Sequence, residues 1–165
     1  MKVSIGVSAR HIHLSKDDFE ILFPNEELNV KNELSQYPNF ASDKVVTIRN
    51  KDREYKNVRV IGPLRNDTQI ELSKTDCYYL KIDAPLCNSG ELENAAEIEI
   101  INGNKTIKRK CVIIQNRHIH MNYEDAKKCF TKGKNTSNNT ESTIKYILSN
   151  YLTIGTVDNI LDINI

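Results

Sequence analysis

The pentapeptide Arg10-His11-Ile12-His13-Leu14 occurs twice in this chain, because Arg117-His118-Ile119-His120-Met121 repeats it with a single change. The similarity continues downstream, where Asp17-Asp18 corresponds to Glu124-Asp125. The two stretches contain all four histidines of the chain. An internal repeat is the signature of structural units related to one another. The sequence therefore predicts two related half-domains, each of which brings one histidine pair to a shared site.

The His-x-His spacing indicates a metal site. Side chains alternate between the two faces of a β-strand, so residues two apart point the same way. If each stretch is extended, its two imidazoles share a face, and Ile12 or Ile119 turns into the core. Neutral imidazole is the commonest metal ligand. The alternative is a set of ordinary surface or core histidines; two near-identical copies that hold every histidine favour metal.

Length and composition limit the fold and the partners. A chain of 165 residues suits one domain or two small ones that share an interface. A hydrophobic content of 39% is enough for a core. The net charge of +1 argues against a general nucleic-acid or membrane-surface binder, and no apolar run approaches the ~20 residues of a membrane helix. We therefore expect no nucleic-acid partner and no membrane partner.

Cysteine usage indicates a reducing compartment. The four cysteines, Cys77, Cys87, Cys111 and Cys129, form no Cys-x-x-Cys pair. No secretion signal is visible, because Val3 to Val7 has the pattern of a strand. We therefore expect reduced thiols in the cytoplasm. Cys129 follows the second histidine pair and is a less favoured additional metal ligand.

Alternating polar and apolar residues predict short strands at Lys2–Val7, Lys44–Arg49, Lys56–Ile61, Thr68–Leu72, Glu97–Ile101 and Thr106–Ile114. The last two form a hairpin around Asn102-Gly103, a strong hairpin signal. Ser15 predicts the start of a helix over Lys16–Phe23, because serine is a favoured cap and acidic residues follow it. Short strands at regular spacing indicate a small barrel or sandwich.

Four further residues are candidates for the site. Glu71 shares a strand face with Gln69 and is a carboxylate that can complete a metal site, although a solvent-facing role is the more common one. Arg59 lies on a predicted strand and Arg65 in the turn after Gly62-Pro63, where a planar guanidinium can bind phosphate. Ser89 offers a hydroxyl in a tight Asn-Ser-Gly turn. Ordinary surface solvation is the alternative for each.

Longer motifs in the chain, in order, are Val7 to Ser15, Val58 to Arg65, Thr68 to Asp76, Ala84-Pro85, Asn88 to Gly90 and Arg117 to Met121. Together they resemble the phosphate propanoyltransferases, a family of phosphate acyltransferases, from about Val3 to Phe130. The resemblance implies a mainly β fold with short helices, in which two small β-barrel half-domains share a metal site. On that basis residues 1–86 form the first half, 87–130 begin the second, and 131–165 are a divergent, loop-rich segment that leaves the second half incomplete.

The resemblance also implies two zinc ions. His11, His13 and Glu71 match the ligands of one ion, whose fourth position takes the sulfur of coenzyme A. His118 and His120 match two of the three histidines on the other ion.

The remaining site residues follow from the same resemblance. Arg65 matches the phosphate-binding arginine, and Ser89 matches a serine near the reacting atoms. The residues that match coenzyme A contacts are Arg59, Val7, Ser8 and Ala9.

A family of this kind moves a short acyl group between coenzyme A and inorganic phosphate to give an acyl phosphate. Propanoyl is the family default, consistent with propanediol degradation, and acetyl is the next choice. The resemblance implies a homodimer. We expect the plain cytoplasm rather than a microcompartment, which is the alternative, because the chain begins almost at its first strand. It lacks the N-terminal extension of relatives that work inside protein-shelled microcompartments.

The chain departs from the family pattern after Phe130, where Thr131 to Ile165 does not resemble the expected strands. The third zinc histidine would fall near Ile165 and is missing. An alternative is therefore a catalytically impaired member that binds metal and acyl-CoA without efficient turnover. A purely structural zinc domain is a third option.

Overall fold

The computed structural model describes residues 10–34 and 38–118. Their strands are β1 (His11–His13), β2 (Val30–Glu33), β3 (Phe40–Asn50), β4 (Arg53–Gly62), β5 (Gln69–Glu71), β6 (Leu86–Cys87), β7 (Ala96–Asn102) and β8 (Lys105–Gln115). Their helices are α1 (Lys16–Leu22) and α2 (Lys74–Leu80). Residues 8–116 form one compact unit, whereas residues 1–7 and 117–165 form another, of which only Arg117 and His118 are described.

Six strands of the larger unit close into a barrel. The hydrogen-bonded order runs β3, β4, β1, β5, β8 and β7, and β7 returns to pair with β3. β2 adds to β3, and β6 adds to β8. Closure leaves no open edge between these six strands. The prediction of a mainly β fold with short helices built on a small barrel is therefore confirmed.

Each of the six barrel strands places a fully buried hydrophobic residue in the core. These residues, all 0% exposed, are Ile12, Ile48, Val60, Ile70, Ile100 and Val112. All are β-branched, and such side chains fit a pleated, buried surface well. The prediction that Ile12 turns into the core is confirmed, and its burial fixes the opposite face of β1 as the face that carries the histidines.

The first helix begins where the sequence predicted it. Ser15 caps α1, since its hydroxyl accepts a hydrogen bond from the amide of Asp18 at 3.1 Å. The second helix was not predicted, although Ser73 and Asp76 form a capping box in which each side chain bonds the other's backbone. Neither of these two helices, the ones that the described residues form, is long and apolar enough to cross a membrane.

The predicted hairpin is present as β7 and β8, and Gly103 adopts a φ of 58° in its turn. The predicted boundary after residue 86 falls within β6 (Leu86–Cys87), which pairs with β8. The predicted strand at Lys2–Val7 and the proposed C-terminal segment 131–165 lie outside the described residues. A second half-domain therefore stays a prediction.

A buried carboxylate fastens α1 to the barrel. Asp18 is 4% exposed. It accepts hydrogen bonds from Nη2 of Arg109 at 2.7 Å and from the hydroxyl of Thr68 at 2.6 Å. Thr68 in turn accepts from the amide of Ser15 at 2.9 Å. The network therefore connects the start of α1 to β8, through Arg109, and to the segment just before β5, through Thr68.

Replacing Asp18 with asparagine should lower the free energy of unfolding by about 1–2 kcal/mol, because hydrogen bonds to a charged group are lost around a buried position. Chemical denaturation monitored by circular dichroism measures the change. The matched control is Asp17→Asn, on the exposed side of the same helix turn, which should stay within about 0.5 kcal/mol of the wild type. Equal stability of the two variants would contradict the structural role of Asp18.

Candidate metal centre

The antiparallel pairing of β1 and β5 brings three predicted ligands together. His11 lies opposite Glu71, and His13 lies opposite Gln69. Directly opposed residues of an antiparallel pair project from the same face. Two short strands therefore present two imidazoles and a carboxylate side by side, while the residues between them pack into the barrel.

The donor atoms of the three residues are close enough for one ion. One ligand atom from each of His11, His13 and Glu71 lies within 4.8 Å of the others. Nε2 of His11 is 3.5 Å from Oε2 of Glu71, close to the ~3.3–3.5 Å that separates neighbouring ligands of a tetrahedral zinc ion. The two imidazole rings have centroids 5.2 Å apart and meet nearly edge to face, at 84°. Nitrogen and carboxylate oxygen are a donor set that suits zinc.

The imidazole of His13 is buried and neutral. It is only 3% exposed, and burial lowers its pKa to about 3, helped by the positive charge of Arg65 and by His11 and opposed by a hydrogen bond with the backbone of Ile61. Its Nδ1 atom is buried and has no hydrogen-bond partner among the described residues. Buried polar atoms normally have a partner, so this nitrogen is consistent with a site that is completed by a ligand.

A polar cleft adjoins this cluster. It has a volume of about 290 Å³ and is lined by Arg65, Asn66, Asp67, Gln69, Ser89, Gly90 and Leu92. The amide of Arg65 donates to the carbonyl of Leu14 at 2.9 Å, which anchors the arginine beside the end of β1. Its Nη1 atom donates to the hydroxyl of Ser89 at 3.4 Å. The structure thus places Arg65 and Ser89 together, as a site for an anion requires.

Burial lowers the pKa of Arg65, and the nearby carboxylate of Glu71 opposes that shift. A guanidinium keeps its proton in proteins, since its ordinary pKa lies far above neutral pH. Arg65 therefore brings a permanent positive charge to the wall of the cleft. Because Arg65 is partly buried, water screens its charge less than at the surface, and its attraction to an anion is therefore stronger.

Sequence reasoning missed the role of Gln69. The alternation of β5 placed Gln69 on the face of Glu71, but two of its three hydrogen-bond partners come from a loop some twenty residues downstream. Its side-chain amide bonds Glu71, Ser89 and the backbone of Gly90. Its burial at 2% exposure, which is unusual for glutamine, is a signal that only the structure supplies.

Other predicted site residues lie apart from this cluster or outside the described ranges. Arg59 lies opposite His11 in the register of β1 and β4, but its Nη1 atom donates to the backbone carbonyls of Ser42 at 3.0 Å and Asp43 at 3.3 Å. Its predicted contact with coenzyme A is untested. His118 belongs to the other compact unit, and its role as a ligand stays a prediction. The predicted residues outside the described ranges are Val7, Ser8, Ala9, His120 and Cys129.

Comparisons with known proteins agree with the motif resemblance. A family model described as phosphate propanoyltransferase matches residues 4–159. A phosphate propanoyltransferase of Thermotoga maritima is 43% identical over 134 residues, which cover 80% of this chain and 64% of that protein. Those of Alkaliphilus metalliredigens and Citrobacter freundii are 45% and 41% identical over 128 and 125 residues, or 76% and 75% of this chain and 60% of each relative.

The family match covers more of this chain than the motifs do, whereas the chain covers only part of each relative. The family match continues past Phe130, where the motifs of the sequence analysis end, to residue 159. The chain spans about three fifths of the length of these curated relatives, with 64%, 60% and 60% of their residues covered. The comparison therefore establishes the family. It does not by itself transfer the activity of the longer relatives to this chain.

Proposed function

Because the chain belongs to the phosphate propanoyltransferase family, we propose that it transfers a short acyl group between coenzyme A and inorganic phosphate. The observation that carries the proposal is the grouping of His11, His13 and Glu71 beside the cleft of Arg65. A cation site next to an anion site suits a reaction between a thioester and phosphate.

The metal we propose is zinc, held by His11, His13 and Glu71. Bound there, zinc supplies a Lewis acid that stabilises negative charge on the thioester oxygen or on the departing sulfur. The chain's own contribution is to keep the imidazole of His13 neutral and to hold His11 and the carboxylate of Glu71 beside it. The pKa of His13, lowered to about 3 by its burial, keeps its lone pair available over the whole neutral range.

Arg65 and Ser89 are the residues we propose to bind phosphate. The guanidinium pairs with phosphate oxygens, and the Ser89 hydroxyl donates a further hydrogen bond. A phosphate oxygen then attacks the acyl carbon, a new carbon–oxygen bond forms, and the carbon–sulfur bond breaks to release coenzyme A. Positioning and charge stabilisation are sufficient for this exchange, so no protein nucleophile is required.

Finer points of the proposal rest on the resemblance. A second zinc ion would be held by His118 and His120 with a further ligand. Coenzyme A would contact Arg59 and residues 7–9. Propanoyl is the acyl group we propose first and acetyl second, because one methylene changes discrimination only modestly in a hydrophobic pocket.

The proposal predicts phosphate-dependent release of free thiol from propanoyl-CoA. The assay follows thiol with a chromogenic reagent, with and without phosphate, on protein whose zinc content is measured in the same preparation. Acetyl-CoA under identical conditions compares the two acyl groups. Release that depends on phosphate and on retained zinc supports the proposed transferase; metal-loaded protein that binds acyl-CoA without any release would instead support the impaired alternative.

A further inference from the structure

Gln69 links the candidate metal centre to the loop that carries Ser89. Its Nε2 atom donates to Oε1 of Glu71 at 2.7 Å and to the Ser89 hydroxyl at 2.8 Å. Its Oε1 atom accepts from the amide of Gly90 at 2.7 Å. The amide nitrogen and oxygen are thus both occupied, and one buried side chain joins a metal ligand to a wall of the cleft.

The chemistry of these partners fixes the orientation of the amide. A carboxylate can only accept a hydrogen bond, and a backbone N–H can only donate one. Rotating the amide of Gln69 by 180° would set oxygen against the carboxylate of Glu71 and NH₂ against the amide of Gly90, and would lose both bonds. Gln69 is therefore held in a single arrangement.

The two oxygens of Glu71 have different neighbours as a result. Oε1 accepts from Gln69, whereas Oε2 lies 3.5 Å from Nε2 of His11. A carboxylate held by one oxygen presents the other to the histidines. The hydrogen bond thereby stabilises the orientation of Glu71 in which Oε2 faces the histidines, and it disfavours binding of an ion through both oxygens.

We propose that Gln69 is a positioning residue, which holds Glu71 so that Oε2 alone faces the metal and which anchors the Ser89–Gly90 loop beside Arg65. This inference rests on the proposed function, because it takes His11, His13 and Glu71 as metal ligands. Groups that hydrogen-bond to metal ligands are typically worth about 10–100-fold in metal affinity.

Gln69→Met in the full chain tests the inference, because methionine has a similar length and volume and makes none of the three hydrogen bonds. Competition with a chromophoric chelator should show zinc affinity weakened about 10–100-fold. The visible spectrum of bound cobalt(II), which reports ligand geometry, should also change. The matched control is Asn50→Leu, which removes an amide that bonds the carbonyls of Leu80 and Lys81; it should keep the wild-type zinc affinity and cobalt spectrum.

The outcomes separate the inference from the proposed function. Wild-type zinc affinity and an unchanged cobalt spectrum in folded Gln69→Met would overturn the role of Gln69 and leave the proposed transferase standing. Absence of zinc binding by the wild-type chain would overturn the metal site on which both rest. If Gln69→Met does not fold, Gln69→Asn keeps the amide but is one methylene shorter, so that it cannot span Glu71 and Gly90 together, and an unaltered cobalt spectrum in that variant would overturn the inference equally.

Discussion

Replacing Arg65 with alanine should reduce phosphate-dependent thiol release by at least ~100-fold, the typical cost of removing a group that stabilises developing charge. Arg65 reaches the cleft next to Ser89 and carries a permanent charge in a partly buried place. Its side chain makes no other hydrogen bond within the described ranges. The loss should therefore fall on catalysis and phosphate binding, with little change in thermal stability. Steady-state rates at several phosphate concentrations measure it.

The matched control for this arginine is Arg49→Ala. Arg49 lies on β3, and its Nε atom donates to Glu99 on β7 at 2.9 Å, away from the cleft. The two side chains are 40% and 35% exposed, so the pair should contribute less than about 1 kcal/mol to stability, and its removal should leave turnover at the wild-type level. Near-normal turnover in Arg65→Ala, or an equal loss in both variants, would contradict the phosphate role of Arg65.

Part of the candidate metal centre could be predicted from the sequence, because strand alternation decides which residues of one strand share a face. His11 and His13 had to share a face once β1 was extended, and so did Gln69 and Glu71 on β5. What alternation cannot give is which strands pair. The register that sets His11 opposite Glu71 joins residues sixty positions apart in the sequence, and only the resemblance indicated that they meet.

The features that sequence reasoning missed depend on contacts between distant segments. Barrel closure requires β3 to pair with β7, and nothing local to either strand specifies that partner. The bridge that Gln69 makes from Glu71 to the Ser89–Gly90 loop is of the same kind. α2 is different, because its sequence contains a recognisable capping box, Ser73 and Asp76. The helix is only seven residues long, which is too short for a clear hydrophobic periodicity.

Replacing Glu71 with glutamine should weaken zinc binding by roughly 100-fold or more, equivalent to about 2.7 kcal/mol. The change keeps the shape of the side chain and removes the charge of the one anionic ligand beside His11 and His13. An uncharged amide oxygen is a poorer zinc ligand than a carboxylate. A ligand that binds only the folded state stabilises it in proportion to the logarithm of its concentration over its dissociation constant. The rise in melting temperature on adding zinc should therefore shrink in Glu71→Gln.

The control Glu99→Gln makes the same chemical change on β7, where the carboxylate pairs with Arg49. It should retain zinc affinity and the zinc-induced rise in melting temperature. A second zinc ion held elsewhere would bind both variants equally. Loss of the ion at Glu71 therefore appears as one tightly bound zinc equivalent fewer in Glu71→Gln than in Glu99→Gln. If Glu71→Gln binds as much zinc as Glu99→Gln and as tightly, the three residues grouped by β1 and β5 are not a metal site. Their short distances would then reflect ordinary hydrogen bonding on a polar barrel face.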